Sequence, residues 1–324
     1  MPKILITGSA GFIGSHLTEL LVKEGFHVKA FVRYNSKNSW GWLDESKYIG
    51  NIEIITGDIR DYDSVYKAMI GCDTVFHLAA LIGIPYSYIS PLAYIKTNIE
   101  GTYNILESAK NLNFINVIIT STSETYGTAQ YVPIDEKHPL AAQSPYSASK
   151  IAADQLALSY YKSFGLPIKI IRPFNNYGPR QSARAIIPTI ISQILSDKEK
   201  LNLGNLSPSR DFTFVKDTCN GFLEILKSDK LFGEITNIGM NEEISVEKLI
   251  DLIAKILRKD IEIEKDIKRI RPEKSEVEKL ICDNAKIKKF TNWKPTYDLQ
   301  TGLKETIEWF KDNKYRFKSE MYNV

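Results

Sequence analysis

The sequence predicts an α/β fold: a Rossmann-type, doubly wound parallel sheet with a smaller C-terminal α/β lobe. Three observations lead to this prediction. Short apolar runs alternate with longer helical patterns through the first half of the 324-residue chain. A glycine-rich segment, residues 7–14, lies between the first apolar run and the first helical pattern. After Arg172 the alternation gives way to loops rich in Asn, Gly, Pro and Arg.

The alternating elements follow one another in a regular order. The predicted strands are Ile4–Thr7, His27–Val32, Ile52–Thr56, Val75–Leu78, Asn116–Thr120 and Ile168–Arg172. The predicted helices between them are Gly11–Lys23, about Asp61–Ile70, about Leu92–Leu112 and one that begins at Pro145. Strands separated by helices pair in parallel through right-handed crossovers, which gives the Rossmann-type topology.

The second half of the chain predicts a separate lobe that supplies a substrate surface. Its predicted elements are helices at Ala185–Ser196, Lys216–Ser228, Val246–Arg258 and about Leu299–Asp312, a strand at Ile235–Ile238 and a loop-rich stretch at Leu203–Phe214. We therefore predict a sheet domain of residues 1–172 plus about 212–239, and a lobe of residues 173–211 and 240–324.

Composition excludes several classes of protein. The 42 Lys and Arg residues nearly balance the 39 Asp and Glu residues, so there is no electrostatic case for nucleic-acid binding. The three cysteines and four histidines form neither a metal-ligand spacing nor a disulfide framework, and we expect no metal. No apolar run reaches membrane-spanning length, and a strand-like run from Lys3 leaves no room for a signal peptide. We expect a cytoplasmic protein.

The glycine-rich segment predicts a dinucleotide-binding turn, because it stands between a strand and a helix. The residues expected at the pyrophosphate are Gly8, Gly11, Phe12, Ile13 and Gly14. Gly8 permits the turn, Gly11 lets the backbone approach the phosphates, and Gly14 allows the helix to pack closely. The N-terminus of the helix then faces the negative charge.

The end of the second predicted strand bears on the choice of cofactor. Folds that bind NAD commonly place an acidic residue there for the ribose hydroxyl, whereas this chain has Arg33, Asn35 and Ser36. A guanidinium suits a 2′-phosphate, so the sequence favours NADP, with NAD still open. The alternative is that Arg33 lies over the adenine ring. Asp58 and Ile59, after the third strand, are predicted at the adenine, although a helix-capping role for Asp58 fits the spacing equally well.

A tyrosine and a lysine four residues apart follow a helix start signal. Ser144 is a good N-cap and Pro145 suits the first helical turn. Tyr146 and Lys150 are therefore predicted on one face of the helix. An ammonium beside a phenol stabilises the phenolate, so the pair is a candidate acid/base. The alternative from these residues alone is an ordinary amphipathic helix.

Nine segments carry a resemblance that spans nearly the whole chain. They are Thr7–Gly14, Gly57-Asp58, His77–Ala80, Asn98–Thr102, Ser121–Gly127, Tyr146 with Lys150, Arg172–Arg180, Arg210–Phe212 and Asn292–Pro295. In this order they resemble the extended short-chain dehydrogenase/reductase family of NAD(P)-dependent nucleotide-sugar epimerases and dehydratases. The resemblance implies a cofactor in the sheet domain, a nucleotide sugar in the lobe, and Tyr146 and Lys150 as the catalytic pair.

The resemblance also implies binding residues and an assembly. The residues concerned are Leu78, Ala79 and Ala80 for the cofactor, and Asn175, Arg180, Arg210 and Arg271 for the nucleotide sugar. The arginines are expected to grip the diphosphate, since a guanidinium matches phosphate oxygens. A surface ion pair is the alternative for each of them. A homodimer is implied through the helices at about Leu92–Leu112 and Pro145–Phe164.

The segment Ser121–Gly127 is the most informative one within the family. Epimerases usually lack a carboxylate here, whereas Glu124 stands where 4,6-dehydratases carry the base that acts on sugar C5. Many dTDP-glucose dehydratases have Asp before this Glu, and this chain has Ser123. The Thr-Ser-Glu version resembles GDP-mannose 4,6-dehydratases and UDP-glucuronate decarboxylases. The longer sequence pattern, which runs from Ser121 through residues 143–150 to residues 181–184, most closely resembles the 4,6-dehydratases of legionaminic acid biosynthesis. These enzymes act on a nucleotide-linked N-acetylglucosamine.

The resemblance implies a mechanism without net redox change. Tyr146 takes the proton of the sugar 4-hydroxyl while C4 is oxidised, Thr122 positions that hydroxyl, and Lys150 lowers the Tyr146 pKa and hydrogen-bonds the nicotinamide ribose. Glu124 then removes the acidic C5 proton, water leaves from C6, and hydride returns to C6. Because Ser123 is a poor acid, protonated Glu124 is expected to donate to the leaving hydroxyl, with help from Ser123 or water.

Three other functions stay open at this stage. A UDP-glucuronate decarboxylase would need a cation near sugar C6, which the sequence does not exclude. A 4- or 5-epimerase would have no obvious use for Glu124. A non-catalytic dinucleotide-binding protein would usually have lost the tyrosine or the lysine, and both are present.

Overall fold

The computed structural model describes residues 2–113, 115–196 and 200–317 of the chain. Its strands, in chain order, are β1 (Lys3–Thr7), β2 (His27–Arg33), β3 (Ile52–Gly57), β4 (Thr74–His77), β5 (Asn116–Thr120), β6 (Ile168–Pro173), β7 (Asn175–Tyr177), β8 (Lys200–Leu203), β9 (Ser209–Arg210), β10 (Phe212–Phe214), β11 (Ile235–Ile238), β12 (Ile244–Ser245), β13 (Glu262–Lys265) and β14 (Lys279–Leu280). The main sheet has seven strands in the order β11-β6-β5-β4-β1-β2-β3, all paired in parallel. This order confirms the predicted fold class.

Helices cover both faces of the main sheet. In chain order they are α1 (Phe12–Lys23), α2 (Tyr62–Met69), α3 (Ile84–Ile89), α4 (Pro91–Tyr94), α5 (Gly101–Asn111), α6 (Pro145–Phe164), α7 (Ile186–Leu195), α8 (Val215–Lys227), α9 (Val246–Leu257), α10 (Ala285–Phe290) and α11 (Leu299–Asp312). On one face α2, α5 and α6 bury Val65, Leu106 and Ala157. On the other face α1 and α8 bury Leu17 and Phe222. Strands covered on both faces read as continuous apolar runs, which is why the sequence located them well.

The parallel register brings the predicted site segments to one edge of the sheet. Thr7 at the end of β1 pairs with His77 at the end of β4, and His77 pairs with Ile119 of β5. The glycine-rich turn, the segment 78–80 and the segment 121–127 follow these three strand ends in the chain. They therefore meet beside one another.

The predicted helix at Leu92–Leu112 is interrupted in its first half. After α4 the chain passes through a π-helical segment at Ile95–Glu100 before α5 begins. Wide turns of this kind are often found at functional sites. Here the segment carries Asn98, whose side chain contributes to the site described below.

The second half of the chain builds its own apolar core from α7, α9 and α11, with buried residues such as Ile190, Ile250 and Ile307. The stretch Leu203–Phe214, predicted as loop-rich, contains the end of β8 and the strands β9 and β10. The prediction missed them because strands of two or three residues show no periodicity. The bounds proposed for the two domains stay a prediction. In the part of the chain that the structure describes, no helix is long and apolar enough to span a membrane.

Candidate active site

The glycine-rich turn between β1 and α1 is shaped for a dinucleotide. Gly8 has φ +72°, and a Cβ there would lie 2.8 Å from the backbone nitrogen of Ala79. A Cβ on Gly14 would lie 2.2 Å from the carbonyl oxygen of Gly8. The N-cap of helix α1 is Gly11, which has no side chain to cap the helix. The first backbone N–H groups of the helix, including those of Phe12 and Ile13, therefore have no side-chain cap and are suited to an anion. These residues fit a pyrophosphate.

The loop after β2 is organised around Asn35. The Asn35 amide donates to the carbonyl oxygens of Arg33 and Ser39 at 3.2 and 2.8 Å, and its Oδ1 accepts from the backbone of Lys37 at 3.0 Å. Arg33, Asn35 and Ser36 are all exposed at this sheet edge. Their contact with a cofactor stays a prediction.

Asp58 and Ile59 follow β3 and have separate partners. The Asp58 carboxylate accepts from Nε and Nη2 of Arg60 at 2.9 and 2.5 Å, and this hydrogen bonding holds the pKa of Asp58 below its usual value. The Ile59 carbonyl oxygen accepts from Asn104 of α5 at 2.9 Å. An adenine bound at Asp58, as the sequence predicts, would therefore have to share this carboxylate with Arg60.

Residues 78–80 are fixed against the glycine-rich turn by β1. The backbone nitrogen of Leu78 donates to the Thr7 carbonyl oxygen at 3.2 Å, and that of Ala79 donates to the Thr7 hydroxyl oxygen at 3.2 Å. The same hydroxyl lies 2.8 Å from Nδ1 of His77. Burial and, second to it, nearby Lys150 lower the His77 pKa to about 3, so this imidazole is neutral. Ala80 continues this segment.

Helix α6 begins as the sequence predicts and is anchored near Tyr146. Ser144 and Ser147 form a capping box, with reciprocal hydrogen bonds of 3.1 and 3.0 Å. The Ser149 hydroxyl donates to the Tyr146 carbonyl oxygen at 2.7 Å and accepts from Asn98 at 2.9 Å. The helix start and the π-helical segment thus hold the catalytic tyrosine expected from the sequence in a fixed place.

Tyr146 is buried, and its phenol is a weaker acid than a free one. Burial raises the Tyr146 pKa, a hydrogen bond with Thr122 opposes the rise, and the Glu124 carboxylate and Tyr94 add to it. Desolvation of the phenol is the largest effect on this pKa, and the expected lowering by Lys150 stays a prediction. Tyr94 packs edge-on against Tyr146, with ring centroids 6.2 Å apart.

Lys150 is also buried and points to the sheet edge. Its Nζ donates to the Thr120 carbonyl oxygen at 2.7 Å. Burial lowers the Lys150 pKa, and the Asp154 carboxylate opposes this. Tyr146, Lys150 and Asp154 share one face of α6 at intervals of four residues.

Glu124 lies in a short 3₁₀ turn, Ser123–Tyr126, that follows β5. Thr122 caps this turn, its hydroxyl accepting from the Glu124 backbone nitrogen at 3.3 Å. Ser123 is buried, whereas Glu124 is half-buried. The Glu124 carboxylate raises the pKa of Tyr146 and opposes the fall in the pKa of Arg210, so it lies within electrostatic range of both.

Two of the predicted diphosphate arginines converge. Arg210 is buried, and burial lowers its pKa. Its Nη1 donates to the Ser209 carbonyl oxygen at 3.0 Å. Arg210 Nη2 and Arg271 Nη1 lie 3.6 and 3.5 Å from the same oxygen of Glu276. The pair therefore presents two guanidiniums to one half-buried carboxylate.

Arg180 and Asn175 are placed differently from these two arginines. The Arg180 guanidinium lies against α1, 3.2 Å from the Ser15 hydroxyl and 3.0 Å from the Glu19 carboxylate. Asn175 has a buried Oδ1 with no hydrogen-bond partner in the described part of the chain. An unpaired buried acceptor is costly unless a ligand donates to it. Both substrate roles stay predictions.

Sequence reasoning assigned no role to the residues that support Tyr146 and Lys150, the pair expected to be catalytic. Asn98 and Ser149 act through hydrogen bonds to the start of α6, and Asp154 through charge. The available signals were the four-residue spacing from Lys150 to Asp154 and the place of Asn98 in the segment Asn98–Thr102. Among the residues that the structure describes, no cluster of His, Cys, Asp or Glu side chains has the arrangement of a metal site.

The fold and the site define a dinucleotide-dependent enzyme with a tyrosine and a lysine at the edge of a Rossmann-type sheet. The chain belongs to the GDP-mannose 4,6 dehydratase family, whose family model matches residues 5–306. This family lies among the NAD-dependent nucleotide-sugar dehydratases and epimerases of the extended short-chain dehydrogenase/reductase group.

Similar proteins carry out different reactions. The chain is 34% identical to a UDP-N-acetyl-alpha-D-glucosaminuronate decarboxylase of Bacillus cytotoxicus, covering 96% of this chain and 98% of the relative. It is 32% identical to a UDP-glucuronate 4-epimerase of Thermodesulfobacterium geofontis, covering 97% and 98%. The crystal structure of a dTDP-glucose 4,6-dehydratase from Bacillus anthracis in complex with NAD superposes with a TM-score of 0.87 at 29% identity, covering 98% of this chain and 99% of that chain.

Proposed function

We propose that the protein is a nucleotide-sugar 4,6-dehydratase that converts GDP- or UDP-N-acetylglucosamine to the 4-keto-6-deoxy sugar. The observation that carries the proposal is the position of Glu124, a carboxylate within electrostatic range of both Tyr146 and Arg210. Tyr146 is the expected acid/base for C4, and Arg210 is expected at the diphosphate. A carboxylate that acts on both of these residues is available to remove a proton from the sugar.

The chain's own residues divide the proposed reaction between them. The glycine-rich turn would hold NAD, which would supply a hydride acceptor for C4 and a hydride donor for C6. Tyr146 accepts the proton of the 4-hydroxyl, with Thr122 hydrogen-bonded beside it. Ionisation of Tyr146 is opposed by burial and by Glu124, so a positive charge near the phenol is needed to favour it. Glu124 then takes the C5 proton, which the 4-ketone has made acidic.

Departure of the 6-hydroxyl needs a proton, and Glu124 is the group proposed to supply it. Ser123 stands before Glu124 and is buried, and its hydroxyl is a poor acid at neutral pH. The carboxyl of Glu124, once it holds the C5 proton, donates it to the leaving hydroxyl directly or through water. Proton and hydroxyl leave as one water. Hydride return to C6 needs a proton at C5, and the proton that Tyr146 took from the 4-hydroxyl balances it, so the redox state of the sugar is unchanged overall.

One assay separates this proposal from the other reactions of the family. Purified protein is incubated with NAD or NADP and a panel of UDP-, GDP- and dTDP-linked sugars, including uronic acids, and the products are weighed by mass spectrometry. Loss of one water with a 4-keto signal supports the dehydratase. Loss of carbon dioxide from a uronic acid makes the protein a decarboxylase, and a product of unchanged mass but altered stereochemistry makes it an epimerase.

We also propose a cytoplasmic homodimer. Helices α4 to α6 expose apolar side chains at Leu92, Ile95, Tyr103, Tyr161 and Phe164. These lie on the two helical segments through which the resemblance implies dimerisation, and burial between two copies would remove them from water. Sedimentation equilibrium tests this: wild type is expected as a dimer and Leu92→Glu as a weakened one, whereas a monomeric wild type would contradict the proposal.

A further inference from the structure

Asp154 is a fully buried carboxylate that the proposed reaction does not use. It follows Lys150 by four residues and Tyr146 by eight, on the same face of α6. Its Oδ2 accepts from the Ser121 hydroxyl at 2.7 Å and from Nε and Nη2 of Arg172 at 3.1 and 2.8 Å. Its Oδ1 has no hydrogen-bond partner in the part of the chain that the structure describes.

We propose that Asp154 is a positioning residue: its charge holds Lys150 in the ammonium form, and its contact with Ser121 fixes the start of the turn that carries Thr122 and Glu124. The proposal rests on the roles proposed for Tyr146 and Lys150 in oxidising the sugar. It does not depend on whether water is then eliminated.

Lys150 needs a negative neighbour because its other surroundings oppose a positive charge. Burial lowers the Lys150 pKa, and Asp154 is the group that raises it. The carbonyl oxygen of Thr120 accepts one hydrogen bond from Lys150. His77, on β4, faces the ammonium as a neutral imidazole.

Further titratable and charged groups around the pair come from three other elements. They are Glu124 and Tyr94, which act on Tyr146, Tyr126 of the 3₁₀ turn, whose ring lies 4.8 Å from the Arg172 guanidinium, and Arg172 of β6. Arg172 hydrogen-bonds Oδ2 alone, so the unpaired Oδ1 is left to act on Lys150. A buried carboxylate with an unpaired oxygen lowers the stability of the fold. Its effect on the neighbouring ammonium is a functional reason for its presence.

Asp154→Asn isolates the charge. The amide oxygen can replace Oδ2 as acceptor for Ser121 and Arg172, and the amide nitrogen then takes the place of Oδ1, which has no partner to lose. Ser121→Ala is the matched control, because it removes one hydrogen bond to Asp154 and keeps the carboxylate. Arg172→Gln is a second test of opposite sign, since it leaves the carboxylate without its cation.

The Lys150 pKa is read directly by NMR of protein labelled with ¹³C at lysine Cε, the resonance being assigned by its absence in Lys150→Arg. We expect the midpoint to fall by about one pH unit, a tenfold change in the protonation constant, in Asp154→Asn. It should rise in Arg172→Gln and stay within about 0.3 units in Ser121→Ala. A midpoint that moves in neither Asp154→Asn nor Arg172→Gln would overturn the proposal.

A kinetic measurement provides the second readout. Reduction of the cofactor by UDP- or GDP-N-acetylglucosamine is followed against pH in wild type and Asp154→Asn. Both limbs of kcat/KM should move to lower pH, because loss of a negative charge favours deprotonation of both Tyr146 and Lys150. A fall in kcat/KM by the same factor at every pH, with both limbs of the profile at their wild-type positions, would show a structural role only. If cofactor is reduced but no dehydrated product forms, the dehydratase assignment fails. The inference about Asp154 is then still tested by whether the two limbs of the kcat/KM profile move.

Discussion

The Glu124 carboxylate acts on the Tyr146 phenol: its negative charge adds to the rise in the Tyr146 pKa that burial begins. The two residues come from different elements, a 3₁₀ turn after β5 and the first turn of α6. A base for C4 and a base for C5 of one sugar ring must lie close together in this way. The negative charge of Glu124 therefore disfavours ionisation of Tyr146.

Glu124→Gln should separate the two halves of the reaction. Because the amide is no base, we expect oxidation at C4 to proceed, reduced cofactor to accumulate, and dehydration to fall by ~10²–10⁴-fold. Removing the negative charge should also lower the Tyr146 pKa, so the acid limb of cofactor reduction should move to lower pH. Absorbance at the nicotinamide band and mass spectrometry give the two readouts. Glu308→Gln, at an exposed ion pair with Lys311, is the control; normal dehydration by Glu124→Gln would remove this residue from the mechanism.

Tyr146→Phe should abolish the first half-reaction as well. The variant keeps the ring that packs against Tyr94 and loses only the hydroxyl, so folding should be preserved. Loss of an acid/base typically costs ~10²–10⁴-fold, and we expect no reduced cofactor in stopped-flow absorbance. Tyr161→Phe, on the same helix and more exposed, is the matched control. Cofactor reduction by Tyr146→Phe at the wild-type rate would assign the proton transfer to another group.

Arg210→Ala should weaken substrate binding. A buried guanidinium that grips a diphosphate makes charge-assisted hydrogen bonds, and we expect KM to rise by roughly 100-fold, about 2.7 kcal/mol, with a smaller change in kcat. Arg271→Ala should act in the same direction, because both guanidiniums approach Glu276. Arg316→Ala, which breaks an ion pair with Glu45, serves as the control. An unchanged KM in Arg210→Ala would show that the diphosphate binds elsewhere.

Arg33→Ala tests the choice of cofactor. If Arg33 binds a 2′-phosphate, its removal should weaken NADP binding about tenfold or more and leave NAD binding unchanged. Lys37→Ala, in the same exposed loop, is the control. Calorimetric titration with each cofactor gives both constants. Wild-type protein that binds NAD much more tightly than NADP would refute the preference, in line with the NAD found in the similar Bacillus anthracis structure.

Much of the fold was predictable because it is local. The strands β1, β2 and β4 to β6 are apolar runs, and Ser144 and Pro145 indicate the start of α6. The short strands β9 and β12 were not predictable, since two residues carry no pattern. Nor was the π-helical segment at Ile95–Glu100, because its residues also suit an ordinary helix. Tertiary contacts of Asn98 with Leu81 and Ser149 accompany it.

The sequence by itself determined the glycine-rich turn, the spacing of Tyr146 and Lys150, and the presence of Glu124, since each depends on residues close together in the chain. Only the tertiary structure decided what surrounds them. Parallel register brought Thr7, His77 and Thr120 to one edge. Burial then raised the Tyr146 pKa and lowered that of Lys150, and packing brought Ser121 and Arg172 to Asp154. Desolvation and charge effects on a pKa depend on which groups pack around the residue in space, and a linear sequence does not contain the distances between those groups.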